Sequence, residues 1–337
     1  MRHVTVGRCR ILPAAACFLF GVALPGCADQ GEREEGPFPE RAIRWIVPTA
    51  AGGGFDRTTR MLQPYLEEAL GVPLEVVYRA GGNFAIGATT LMRERDDCHN
   101  VMIHGTPLLH FSHLTQNVPY TWEDFFPVAS LTIDPGVVRV RNDAPWRSLR
   151  ELVEDARRRP RQIRVGLGGR TDVGHFGIRE IAEAAGVEFN MIFYDGGGPA
   201  RTALAGGEVD VTHAGAYNSL PVAGESRVLA VHQDQNHWPA ITDDAPTVRE
   251  QLGVDVVPND FRYQIWVTRG CRERHPDHYA VLAEALLSAV EREEYRMSLE
   301  AVGELGTLQY IAGEEFYRTL IQRSPEYEEI ARSLGAR

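Results

Sequence analysis

The sequence predicts an α/β fold built on mostly parallel strands, and three observations carry that prediction. Short apolar runs alternate with helical apolar spacing along almost the whole chain, the pattern of repeated strand and helix units. Glycine clusters stand just beyond the apolar runs, at Gly52-Gly53-Gly54, Gly105, Gly168-Gly169 and Gly196-Gly197-Gly198. A chain of 337 residues suits one large or two medium domains, since single cores rarely grow past roughly 250–300 residues.

The first segment stands outside that fold. Arg2, Arg8 and Arg10 form a basic head, Ile11 to Leu24 is an apolar run, and Leu24-Pro25-Gly26-Cys27 follows. A basic head, a short apolar core and a small residue before the cut make a secretory signal over residues 1–26. The core is too short for a membrane-spanning helix, which needs about 20 residues. The cysteine directly after the small residue resembles the bacterial lipobox, which makes Cys27 a lipidated N-terminus. The polar, acidic stretch 27–37 is then its tether.

The elements follow in order. Ile43 to Val47 is a first strand, a glycine loop succeeds it, and a helix runs from Asp56 to about Leu70, with Pro64 inside where it should kink the helix. Leu74 to Tyr78 and Val101 to His104 are strands, and Val128 to Val140 is a long extended stretch interrupted at Pro135-Gly136. Leu149 to Arg159 is a helix stopped by Pro160, Arg164 to Leu167 a strand into a second glycine loop, and Ile178 to Ala185 a helix closed by Gly186. Asn190 to Tyr194 is a strand, Pro199 to Leu204 a short helix, and Val209 to Thr212, Val228 to His232 and Tyr263 to Thr268 are strands. From Pro276, a good first helical residue, one long helix reaches about Ala301. Tyr279, Leu282, Leu286, Ala289 and Val290 give it one apolar face.

Composition excludes several functions. The chain contains no lysine, so a Walker P-loop, a Schiff base and pyridoxal phosphate chemistry are absent, and any cation meeting an anionic ligand is arginine. The formal net charge is −11, and the basic leader holds three of the arginines, so the exported chain is more acidic still. Such a surface argues against nucleic acid. Gly166-Leu-Gly-Gly is half a dinucleotide fingerprint with Thr171 where the third glycine belongs, and no G-x-S-x-G elbow occurs. These readings predict no enzyme and no cofactor. His104, His110 and His113 lie in a predicted loop without a cysteine or carboxylate at ligand spacing, so no metal site is expected. Cys98 and Cys271 remain once the leader and Cys27 are set aside; in an oxidising compartment they either pair or stay as thiols.

In open α/β sheets, ligands bind beyond the carboxyl ends of strands, where loops become helix N-termini. The first such loop, Pro48 to Asp56, ends on an aspartate that caps its helix or faces a ligand amine. At this loop the chain resembles the Bug/TctC-type solute-binding proteins of tripartite tricarboxylate transporters. The resemblance continues in order through Arg79-Ala-Gly-Gly-Asn83 with Gly87-Ala88, Gly105-Thr106 with His110, and Gly166 to His175. Tyr194-Asp-Gly-Gly-Gly-Pro-Ala200, Gly206 to Val211 and Ala245 to Glu250 complete it, so that it covers about residues 38–335. It departs from the family pattern at Asp195, where a lysine is usual, and at Arg170-Thr171-Asp172, where serines are usual.

The resemblance implies a two-lobed periplasmic-binding-protein-like (type II) fold, each lobe a mostly parallel sheet flanked by helices, joined by two crossing strands. It places lobe 1 at 38–133 plus 261–337 and lobe 2 at 134–260. It also implies a small carboxylate ligand, held largely by backbone N–H groups, and large and small membrane permease subunits as partners of a monomeric receptor. The expected ligand contacts are Ala51, Gly52, Gly53, Gly54, Phe55 and Asp56 in the first loop, and Thr106 after the third strand. In the second lobe they are Gly168, Gly169, Arg170, Thr171, His175, Tyr194 and Gly196. Arg170 is expected to be the cleft's formal positive charge, and Gly53 the point of closest backbone approach. A receptor that signals to a membrane sensor kinase would use the same ligand-dependent closure, and the sequence leaves both partners open.

Overall fold

The computed structural model describes residues 37–333; the leader, Cys27 and the tether up to residue 36 lie outside the described residues. The first part of the chain runs β1 (Ile43–Val47), α1 (Gly54–Leu70), β2 (Leu74–Tyr78), α2 (Ala85–Arg93), β3 (Asn100–Thr106), α3 (Leu108–Thr115) and β4 (Phe125–Arg141). It continues with α4 (Leu149–Arg158), β5 (Arg164–Leu167), α5 (Val173–Ala185), β6 (Asn190–Phe193), α6 (Gly197–Gly206), β7 (Val211–Gly215), β8 (Ser226–Val231) and α7 (Val248–Leu252). The last part is β9 (Asp260–Thr268), α8 (Arg269–Arg274), α9 (Pro276–Glu291), α10 (Glu293–Ala301), β10 (Leu308–Ala312) and α11 (Gly313–Ser333).

The sheet order is β2-β1-β3-β9-β4-β7-β5-β6. β1 pairs in parallel with β2 and β3, and β5 in parallel with β6 and β7, as expected of strands buried under helices. β4 joins the two groups. Its Phe125–Pro135 portion pairs antiparallel with β9, and from Gly136 onward it pairs with β7 and β8. Pro135-Gly136 is therefore not an interruption of the strand but the point where it changes partners. The Gly136 N–H is donated to Asn259 O at 2.8 Å, where the chain returns into β9. One core gathers Trp45, Leu62, Ile103, Leu131, Ile265 and Leu286 around the first group of strands, and a separate core gathers Val138, Leu152, Val165, Ile181, Val211 and Leu229 around the second.

Local departures from the sequence reading have local causes. The helix expected from Pro276 to Ala301 is two helices, because Arg292 is extended (φ −60°, ψ 133°). Arg292 pairs with Glu68 at 2.8 Å, and Glu293 and Glu294 open α10, where the helix dipole favours acids. α1 continues through Pro64, which lies on its exposed face, where water can take the freed carbonyl. The stretch carrying His110 and His113 is a helix, α3, rather than a loop. Cys98 and Cys271 form a disulfide across a sequence separation of 173 residues, tying the approach to β3 to α8.

Candidate ligand-binding cleft

A cavity of about 740 Å³ opens where the glycine loops of both strand groups meet. One wall comes from the loop and first residues of α1 (Ala51 to Phe55), with Arg57, Phe84, Leu108, Phe261 and Tyr263. The other comes from Gly168, Asp172, Tyr194 to Arg201, His213 and Asn218. The N-termini of α1 and α6 both border it. α1's first backbone bond is donated by Arg57 N to Gly53 O, so the N–H groups ahead of it have no intrahelical partner.

Arg201 sits on the first turns of α6, is 8% exposed, and makes no hydrogen bond or ion pair among the described residues. Burial lowers its pKa; the nearby charges of Tyr263, Asp134 and Asp172 oppose that, and Arg57 adds to it. A guanidinium at the positive end of a helix is disfavoured by the dipole as well as by desolvation. Both costs fall away when an anion enters. The second arginine on the wall is committed: Arg57 Nε lies 2.8 Å from Glu304 Oε1, and its Nη2 donates to Asn218 Oδ1 at 3.0 Å.

Asn218 links the strand groups. Its Nδ2 donates to Tyr263 Oη at 3.0 Å and to Asp134 Oδ2 at 2.8 Å. Asp134 also accepts from the N–H groups of Tyr217 (2.8 Å) and Asn218 (2.9 Å). Burial pushes the Asp134 carboxyl up to about 7 against these donors. Gly54 is required here: a Cβ at that position would stand 2.3 Å from Tyr263 Oη and 2.7 Å from Asn218 Oδ1. At Gly53 a Cβ would meet nothing nearer than 3.6 Å, so the close approach belongs to Gly54 instead.

Of the residues expected at the site, Ala51 to Phe55, Gly168, Tyr194 and Gly196 line the cavity, and the others do not. Asp56 neither caps α1 nor faces the cleft: Gly53 is the N-cap, and Asp56 accepts from Gly52 N at 2.7 Å, Tyr78 Oη at 2.5 Å and Arg60 Nε at 2.9 Å. Burial raises its pKa, but the bonds from Tyr78 and Gly52 and the Arg60 charge outweigh that and hold it below the usual range. Asp172 repeats the device in the second strand group, accepting from Gly168 N at 3.0 Å. Burial pushes Asp172 up to about 6 against the N–H groups of Gly168, Gly174 and Val173. Each loop thus spends one of the N–H groups expected for the ligand on an internal aspartate four residues on.

Arg170 does not line the cavity; its guanidinium lies 4.5 Å over the Phe193 ring. His175 turns its Nδ1 to Arg170 O at 2.6 Å, and Thr171 is buried. Gly169 packs toward Asn83 rather than into the cavity. Thr106 ends β3 on a different cavity, of about 500 Å³, lined by Phe111, Phe176, Ile311 and Leu320.

Arg201, Arg57, Phe84, Asn218 and Tyr263 were missed by sequence reasoning. One signal was present: an arginine one residue beyond Tyr194-Asp-Gly-Gly-Gly-Pro-Ala200 falls near the start of a helix, where a cation is out of place.

The family model described as tripartite tricarboxylate transporter family receptor, TctC, matches residues 58–310. The chain belongs to the TctC family. Protein BugT of Bordetella pertussis is 29% identical over 250 residues, 72% of this chain and 73% of that one. A TctC solute binding protein from Polaromonas is 28% identical with a TM-score of 0.65, covering 88% of this chain and 99% of its own. The R. palustris protein Rpa4515, solved with adipate, has a TM-score of 0.78 at 24% identity, covering 88% and 98% of the two chains. The α/β sheet with flanking helices is thus the fold of TctC solute-binding proteins, whose two-lobed type II form agrees with the two strand groups and the strand that joins them. No described helix is long and apolar enough to cross a membrane.

Proposed function

We propose that this TctC-family protein is an exported, lipid-anchored receptor that captures a small organic carboxylate and delivers it to membrane permease subunits. The observation that carries the reading is Arg201, a buried guanidinium without a hydrogen-bond or ion-pair partner among the described residues, which faces a cavity bordered by two helix N-termini. The adipate found in Rpa4515 supports a carboxylate. In this reading the lobes are residues 38–133 with 261–337 and residues 134–260. β4 and the segment entering β9 serve as the hinge, and the receptor acts as a monomer that binds and does not catalyse. Gly53 to Phe55, Gly196 and Tyr194 supply neutral contacts around the charge.

Membrane-extracted protein provides the test. Mass spectrometry of the ligand it releases on denaturation should find a carboxylate, and the intact mass should begin at an acylated Cys27. Calorimetry with the released compound should show binding to the native protein and at least a 30-fold loss in Arg201→Gln. A released ligand without an acidic group, or unchanged binding by the variant, would refute the carboxylate site.

A further inference from the structure

The charge inventory of the cleft limits the ligand more narrowly than "carboxylate" does. Arg57 is neutralised by Glu304, which leaves Arg201 as the cation without an ion-pair partner among the side chains lining the cavity. His213 also lines it, but burial and the neighbouring His232 hold its pKa well below the usual value, so the ring is neutral. Three acids share the lining, Asp172, Asp195 and Glu208. One carboxylate therefore finds one guanidinium. A second carboxylate on the same ligand would find no further cation and would enter a field already set by those acids.

The remaining wall has a different chemistry. Phe55, Phe84, Leu108, Phe261 and Tyr263 form a largely aromatic surface, with the Phe55 ring 4.6 Å from that of Tyr263 and 6.2 Å from that of Phe84. Behind them His104 is fully buried, and burial lowers its pKa to about 4, so it supplies no charge to this side either. A cavity of about 740 Å³ has room for a ligand body well beyond its carboxylate.

We propose that the ligand is a monocarboxylate with an apolar body, aliphatic or aryl, and that the cleft discriminates against dicarboxylates and tricarboxylates. The carboxylate sits on Arg201 and the body against the Phe55, Phe84 and Phe261 wall. This inference rests on the reading of the cleft as a carboxylate site.

Calorimetric titration of the purified full chain, dialysed free of ligand, tests it with three probes. Hexanoate and adipate share a six-carbon chain and differ by one carboxylate; 3-phenylpropionate adds an aryl body. Hexanoate or 3-phenylpropionate should bind at least tenfold tighter than adipate. Phe84→Ala, which leaves every charge in place, should weaken 3-phenylpropionate at least fivefold. Adipate binding as tightly as both monocarboxylates overturns the inference and leaves the carboxylate reading standing. So does failure of both monocarboxylates at millimolar concentration when the released ligand is a polycarboxylate. Unchanged 3-phenylpropionate binding in Phe84→Ala removes the apolar wall from the inference. A released ligand with no acidic group is the separate outcome in which the reading beneath it fails.

Discussion

In the proposed carboxylate site, Arg201 serves binding at the expense of folding. Its guanidinium is desolvated without a hydrogen bond or ion pair among the described residues, and an uncompensated buried charge destabilises by several kcal/mol in unfavourable cases. Arg201→Gln should therefore raise the stability of the ligand-free protein by about 1–3 kcal/mol while removing ligand-induced stabilisation. Thermal unfolding with and without ligand reads both effects. A variant that is less stable than the parent without ligand would mean that the guanidinium is already satisfied in the empty cleft. Gly54 is the converse case. Its missing side chain makes room for the Tyr263 hydroxyl and the Asn218 amide, so it serves packing between the strand groups as well as lining the cavity.

Among the elements, α3 carries an acid-sensitive group. His110 is buried, stacked 4.5 Å from the Trp122 ring, and neither of its ring nitrogens has a hydrogen-bond partner among the described residues. Burial lowers its pKa to about 3. The folded-state value lies below the unfolded one near 6.5. The stability tied to the neutral ring is thus fully present above about pH 6.5 and is lost as the pH falls toward 3. Asp134 and Asp172, with raised values, act in the opposite sense, because the folded state keeps their protons when the unfolded state has released them. The wild-type profile mixes the two trends, so a paired comparison is needed. His110→Phe should flatten the acid limb between pH 6.5 and 4, by on the order of 1 kcal/mol per pH unit. It should also leave stability at pH 8 unchanged or higher, since it removes an unsatisfied buried polar group. Denaturant unfolding at several pH values checks this; parallel acid limbs would contradict it.

For the whole molecule, the connections that cross between distant parts of the sequence matter most. The Cys98–Cys271 disulfide closes a loop of 173 residues that contains the entire second group of strands. Loop closure on that scale restricts the unfolded chain strongly, so replacing both cysteines by alanine should cost about 2–4 kcal/mol. The loss should appear as a lower melting temperature, with ligand affinity retained, because neither cysteine lines the cleft. An equal loss of affinity would place the bridge in the ligand-binding mechanism. Asp134, on β4, performs a related task without a covalent bond. It gathers Tyr217, Asn218 and, through Asn218, Tyr263 where β4 changes partners.

The sequence by itself determined the α/β class, nearly every strand of the parallel groups and the loops that form the cleft. Those features are local: strand runs, helical spacing and glycine clusters act within a few residues of themselves. It also determined that a lysine could not line the cavity, since no lysine exists. Only the tertiary structure decided which arginines do. Arg170 and Arg201 both follow glycine loops, but Arg170 lies over Phe193, whereas Arg201 on α6 turns to the cavity. The fates of the loop N–H groups were equally hidden, because an aspartate four residues on can cap, ligate or turn inward, and the sequence reads the same in each case. The break at Arg292 was invisible for a related reason: one extended residue leaves the apolar spacing on either side almost intact. The aromatic wall depended on which segments meet across the cavity, and spacing along a chain carries no record of such meetings.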